Sequence, residues 1–213
     1  MISEVQQLCT EAAKYSFAAV CVPPPLVRNA KKYLAGSGVS TATVIGFPFG
    51  YSTIHAKSAE VDQALTDGAH ELDVVINLLA LRNKAWKYLE SEAKTLVSKV
   101  HAADRIIKVI IESGVLSDEE ILHCCDIYAK VGVDYMKTST GYADKGATIE
   151  AVVLMKENLP TDVRIKASGG IRTYEFARRL IDAGADRLGC SASIAIVEGQ
   201  PDTGDESNTG DEY

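Results

Sequence analysis

Seven short β-rich runs separated by helical segments predict a parallel-sheet α/β protein. The alternation of polar and apolar residues along those runs predicts that the sheet curls into a (β/α)8 barrel with its first strand missing. A third observation supports reuse of one unit: a lysine recurs every 29 residues, at Lys108, Lys137 and Lys166, each inside a β-rich run. That interval is about the length of one strand–helix repeat.

In chain order, the first segment is helical, from Ser3 to Tyr15, with a Ser3/Gln6 capping box and Val5, Leu8, Cys9 and Ala12 on one face. The β-rich runs follow at 18–22 (AAVCV), 41–48 (TATVIGFP), 71–77 (ELDVVIN) and 106–112 (IIKVIIE). Three more lie at 134–140 (DYMKTST), 164–170 (RIKASGG) and 187–191 (RLGCS). Two intervening segments show clear helix grammar. SDEEILHCCDIYAKVG begins with an N-cap candidate and acids in its first turn and stops at Gly132; TYEFARRLIDAGAD stops at Gly184. The tripeptides GAH, GVD and GAD after helices read as C-caps leading into the next strand.

Strands and helices alternating in this way form right-handed βαβ units, which close either as a barrel or as an open doubly wound sheet. Central strands of an open sheet meet helices on both faces and are apolar throughout. Here Leu72, Val74 and Ile76 share one strand face while Asp73 and Asn77 share the other, and Lys137 and Lys166 each follow an apolar residue. Apolar residues facing outer helices and polar ones facing a common axis fit a barrel.

The 213 residues, 46% hydrophobic, suffice for one domain, expected to span 1–199. The last fifteen residues, GQPDTGDESNTGDEY, carry five acids and no base. The tail 200–213 therefore reads as acidic and disordered, with Tyr213 a candidate to fold back over the barrel mouth. Without those acids the charge of −7 becomes −2, a balance that points to neither a nucleic-acid nor a membrane partner. Five cysteines without C-x-x-C spacing argue against a zinc site or disulfide framework and for a reducing, cytoplasmic location. His55, His70, His101 and His123 share no ligand spacing, so no metal is expected. Trp86, Tyr88, Cys124 and Cys125 read as packing residues, and Cys21, on a strand end near the barrel mouth, as a buried, inert thiol.

On equivalent staves, Asp73, Lys108, Lys137 and Lys166 converge near the axis. Several buried ammonium groups around one carboxylate must be paired to be tolerated, and each disfavours protonation of the next. A lysine kept neutral in this way can attack a carbonyl and form a Schiff base, whose iminium stabilises a neighbouring carbanion as an enamine. That chemistry makes or breaks a carbon–carbon bond without a metal or cofactor. The alternative is an ion network that merely ties strands together. The repeated K-x-S-x-G of Lys137–Ser139–Gly141 and Lys166–Ser168–Gly170 favours the functional reading.

GAHELDVVIN, IIKVIIESGVLSDEE, DYMKTSTGY, IKASGGIRT and RLGCSASIAIVEG, in this order, resemble the 2-deoxyribose-5-phosphate aldolase family. AAVCVPP and TATVIGFPFG match its early strands, and the likeness covers residues 4–199. The resemblance implies a class I aldolase on a (β/α)8 barrel that reversibly cleaves 2-deoxy-D-ribose 5-phosphate to D-glyceraldehyde 3-phosphate and acetaldehyde. It gives Lys137 the Schiff-base role, Lys166 the role of the neighbour that lowers its pKa, and Asp73 that of proton donor and acceptor. Lys108 is a supporting, substrate-side lysine. The family also begins with a strand ahead of its first helix, for which no counterpart is found before Ser3. Gly141, Gly169, Gly170, Gly189 and Ser191 follow three late strands, where exposed backbone N–H groups suit a phosphate; Arg172 could assist. A homo-oligomer, dimer or tetramer, is expected.

Overall fold

The computed structural model describes residues 2–199; the acidic tail and Tyr213 lie outside the described residues. Seven parallel strands are hydrogen-bonded in sequence order: β1 (Ala19–Val22), β2 (Ser40–Ile45), β3 (Glu71–Val75), β4 (Ile106–Ile110), β5 (Tyr135–Lys137), β6 (Arg164–Ser168) and β7 (Arg187–Gly189). Nine helices are described: α1 (Ile2–Lys14), α2 (Val27–Tyr33), α3 (Ile54–Asp67), α4 (Leu78–Arg82), α5 (Trp86–Ala102), α6 (Asp118–Val131), α7 (Ile149–Asn158), α8 (Tyr174–Asp182) and α9 (Ser193–Val197). The sheet curls as a barrel does, but among the described residues β1 and β7 are not paired with each other. An open seam therefore lies between these two strands.

Strand residues in parallel register share a face, so the pairing shows which side chains point inward. Asp73 aligns with Val44 and Lys108, Lys108 with Tyr135, Lys137 with Ile110 and Lys166, and Lys166 with Arg187. The alternate residues Val20, Val22, Leu72, Val74, Ile107, Val109, Met136 and Ile165 point outward into one continuous apolar core with the helices. Ala42, Val75, Ile110 and Tyr135 are buried too, yet fall outside that core, as inward positions must.

Helix boundaries follow local chemistry. The hydroxyls of Thr53, Thr148 and Thr173 each accept from a backbone N–H at the start of α3, α7 and α8, and Ser117 with Glu120 forms a full capping box on α6. Gly68 and Gly132 end α3 and α6 in the left-handed conformation. Four expectations need correction. The helix is already running at Ile2, so Ser3 lies in its first turn rather than capping it, and Leu8 is exposed beside the buried Val5, Cys9 and Ala12. The run at 41–48 leaves the sheet at Ile45, where Gly46 takes φ 63° and a cis Phe47–Pro48 bond turns the chain. The run at 134–140 is strand only through Lys137, because Thr138–Thr140 already belong to the barrel mouth.

Candidate active site

The pleat brings the four sequence-predicted charges into contact. Asp73, fully buried on β3, accepts from Lys108 Nζ at Oδ1 (2.7 Å), and from both Lys137 Nζ (2.9 Å) and Lys166 Nζ (2.7 Å) at Oδ2. Burial pushes the Asp73 carboxyl up, but Lys137, Lys166 and Lys108 outweigh it and hold it well below the usual carboxylate range. Burial pushes Lys137 below its ordinary value; Asp73 opposes that shift and Lys166 reinforces it. On Lys166 burial acts downward as well, but Asp73, helped by Cys21 and Glu71, raises it. The two neighbouring amines thus diverge. Lys137 is the one that gives up its proton more readily, and Lys166 the one that keeps it. Such a split assigns acid and base roles within a pair.

Lys108 is placed differently from the substrate-side position expected for it. Its side chain is fully buried, and its ammonium is clamped between Asp73 Oδ1 and Glu71 Oε2, the latter at 2.6 Å. Lys108 therefore touches Asp73 rather than any open space. Glu71 in turn binds Arg187 Nη1 at 3.0 Å. Neither Glu71 nor Arg187 is among the sequence-predicted site residues. Glu71 lies two residues before Asp73, so strand parity alone puts it on the same face.

Above the lysines, the loops after β5, β6 and β7 converge. The Thr138 hydroxyl donates to the Ser168 carbonyl and accepts from the Ser168 N–H, and the Ser168 hydroxyl donates to the Ser139 carbonyl. This stitches the two K-x-S-x-G turns together. Gly169 approaches Gly146 so closely that a Cβ on Gly146 would sit 2.2 Å from the Gly169 carbonyl oxygen. Gly141 (φ 93°) and Gly170 (φ 73°) are left-handed with open space before them, whereas a Cβ on Gly189 would press to 3.1 Å on Lys166 Cε. Ser191 is exposed in the turn after β7, and Arg172 is exposed ahead of α8. Glu112, buried and itself left-handed (φ 56°), accepts from the Thr140 N–H and hydroxyl and so holds the turn that follows Lys137. Sequence reasoning missed Glu112, since nothing in its local pattern marks a left-handed residue.

A cavity of about 580 Å³ opens beside this cluster, walled by Cys21, Val44, Phe47, Pro48, Tyr51 and Tyr142. The lysines are not among its wall residues; it meets them at Cys21, which is exposed and not buried as the sequence suggested. Low-dielectric surroundings and Asp73 raise the Cys21 thiol, and the three lysines oppose them. The remaining candidates serve packing. Trp86 stacks on His123, His70 accepts from the Thr41 N–H, and Cys124 and Cys125 are buried. Among the described residues, no group of three His, Cys, Asp or Glu is placed to hold a metal ion.

A parallel (β/α) barrel in which two buried lysines, one shifted down and one up, share a carboxylate defines an enzyme of the Schiff-base aldolase class. The chain belongs to the DeoC/LacD family of aldolases, which it matches over residues 1–196. It is 45% identical over 200 residues to a deoxyribose-phosphate aldolase of Clostridium perfringens, covering 93% of this chain and 88% of that one. The corresponding enzyme of Thermococcus kodakarensis is 44% identical over 201 residues, covering 93% and 90%. Among solved structures, the tetrameric deoxyribose phosphate aldolase of Aeropyrum pernix superposes with a TM-score of 0.86 at 30% identity, covering 93% of this chain and 83% of that one.

Proposed function

We propose that this aldolase cleaves 2-deoxy-D-ribose 5-phosphate reversibly to D-glyceraldehyde 3-phosphate and acetaldehyde, through an iminium on Lys137. The observation that carries the reading is the sharing of one Asp73 oxygen by two lysines of opposite protonation tendency. Neutral Lys137 attacks the C1 carbonyl of the open-chain sugar, and the carbonyl oxygen leaves as water. Lys166, which keeps its proton, supplies one to that oxygen, with Asp73 linking the two amines. The iminium withdraws electrons as the C2–C3 bond breaks and the C3 hydroxyl loses its proton, giving the three-carbon aldehyde and an enamine on Lys137. Protonation of the enamine carbon and addition of water release acetaldehyde and restore the amine. Asp73, ionised at rest, takes the C3 hydroxyl proton and returns it to the enamine carbon.

The phosphate is assigned to backbone N–H groups of the turns at Gly141, Gly169, Gly170, Gly189 and Ser191, whose glycines let a ligand approach the main chain. Residues 1–199 are read as one catalytic domain acting in the cytoplasm as a homo-oligomer, which light scattering tests. A coupled assay for the three-carbon product, together with borohydride trapping of acetaldehyde and peptide mapping, tests the chemistry. The expected result is turnover of deoxyribose 5-phosphate and a single reduced two-carbon adduct on Lys137. An adduct on Lys166 or Lys108, with Lys137 unmodified, would overturn the assignment.

A further inference from the structure

Below the reacting lysines the barrel interior holds a second ion network that the cleavage steps do not use. Glu71 is 2% exposed and takes Lys108 on Oε2 at 2.6 Å while Arg187 reaches both of its oxygens, at 3.0 and 3.2 Å. Arg187 and Arg164 lie over the buried Tyr135 ring at 5.6 and 4.2 Å, and Lys108 lies 5.9 Å from the same ring centre. The order of contacts is therefore Arg187, Glu71, Lys108, Asp73 Oδ1, and then Asp73 Oδ2 with Lys137 and Lys166.

We infer that Glu71 and Arg187 are positioning residues for the Lys137 reaction: they pin Lys108, Lys108 fixes Asp73 through Oδ1, and Oδ2 is thereby left to the reacting pair alone. Resting on the Schiff-base reading above, the argument is geometric. A carboxylate with three ammonium neighbours has several ways to distribute them over its two oxygens. A lysine with only one carboxylate partner would be free to bridge both oxygens of Asp73 and displace Lys137 or Lys166. With Glu71 as a second partner, Lys108 is held from the far side and keeps to Oδ1. Arg187 holds Glu71 in turn, its Nη1 donating to both carboxylate oxygens.

Charge and orientation act in opposite directions here, so the inference can be isolated. The groups facing the network are Cys21 from β1, Asp73 from β3, Lys137 from β5 and Arg164 and Lys166 from β6, while β2 contributes the apolar Ala42 and Val44. Replacing Glu71 by Gln removes a negative charge from this enclosed space. Lys137 and Lys166 then hold their protons less firmly, and the acidic limb of kcat/KM moves to lower pH. Charge alone would thus give more free Lys137 amine near neutrality and a faster reaction.

The test measures pH profiles of wild type, Glu71→Gln and Arg187→Met with deoxyribose 5-phosphate, beside borohydride trapping of acetaldehyde on the wild type. Wild-type trapping on Lys137 first establishes that the underlying chemistry holds, so its failure would be seen separately. Glu71→Gln is expected to lower kcat at least about tenfold, with KM within about twofold, despite an acidic limb shifted to lower pH. Arg187→Met, at a partly exposed position better able to tolerate change, is expected to lower kcat less and move the limb upward. A kcat equal to or above wild type in folded Glu71→Gln overturns the inference. If that variant does not fold, Arg187→Met decides, and an unchanged kcat and limb overturn it.

Discussion

Lys137 and Lys166 donate to the same atom, Asp73 Oδ2, at 2.9 and 2.7 Å, from directly paired positions on adjacent strands. Two ammonium groups on one acceptor repel each other, and the repulsion is relieved when one loses its proton. Burial acts downward on both amines, but Lys137 ends below its ordinary value and Lys166, which has the additional support of Glu71, above it. The carboxylate is what allows both amines to occupy the interior at all.

Removing Lys166 is expected to impair Lys137 electrostatically as well as by loss of a proton source. Lys166 lowers the Lys137 pKa, so Lys166→Met raises it and reduces the free amine near pH 7. The acidic limb of kcat/KM should move to higher pH, and activity should partly recover in alkaline buffer. A profile that falls in height without moving would show that Lys166 has no electrostatic role.

Asp73→Asn should cost both rate and stability. It leaves three buried ammonium groups without their common counter-charge, a change worth about 3–5 kcal/mol for a broken buried pair. Turnover should fall by roughly 10²–10⁴, the range for a positioned acid–base group. In the unmodified protein, the folded pKa of Asp73 lies below its ordinary value, so its contribution to stability is full above about pH 4. That contribution is lost as pH falls through the depressed folded value. Denaturant titrations between pH 5 and pH 2, in wild type and Asp73→Asn, check this: the wild type should lose more stability on acidification.

Lys57, on α3, is a buried lysine outside the catalytic cluster. It binds Glu92 at 2.9 Å and the Val75 carbonyl at 2.7 Å, and its side chain packs where a Cβ on Gly46 would fall. Burial lowers Lys57 and raises Glu92, so the enclosed pair sits in surroundings that favour neither charge. Lys57→Met alone should destabilise by about 3–5 kcal/mol, and the double change Lys57→Met with Glu92→Leu should recover most of that loss. Urea midpoints of the three proteins test it; a double variant no better than the single would mean that the pair is not the source of the loss.

Gly170→Ala should act on substrate binding. Its Cβ would meet nothing within 4 Å, so the cost is the left-handed backbone (φ 73°), about 1–2 kcal/mol, and a displaced turn. KM for the phosphorylated sugar should rise several-fold, with little change for unphosphorylated deoxyribose, itself a much poorer substrate. Equal effects on both sugars would remove the phosphate from these turns.

Much of this was legible because strands impose a strict parity. Leu72 and Val74 against Asp73, and Met136 against Lys137, announce which face meets the helices, and the 29-residue recurrence of lysine places those charges on successive staves. Parity says nothing about height along the barrel axis. Lys108 aligns with Tyr135, two residues before Lys137, so it sits lower and meets Glu71 instead of the cavity. The left-handed Glu112 and the contact of Gly146 with Gly169 were illegible for another reason: each depends on how two loops meet in space.

The interior charges find partners over regularly increasing distances along the chain. Lys108 lies 35 residues from Asp73, Lys137 lies 64 and Lys166 lies 93, while Arg187 lies 116 residues from Glu71. During synthesis, both carboxylates therefore emerge before all of these cations. Lys108 arrives with β4 and Lys137 with β5, which together balance the two carboxylates, and Lys166 and Arg187 then join a centre that is already neutral. Assembly in the order of translation is thus guided by attraction until β5 is in place, the last two cations are added against like charge, and contacts spanning so much chain are slow to close. Catalytic competence is then among the last properties a nascent molecule acquires, because the pair that performs the chemistry is complete only once β6 has docked.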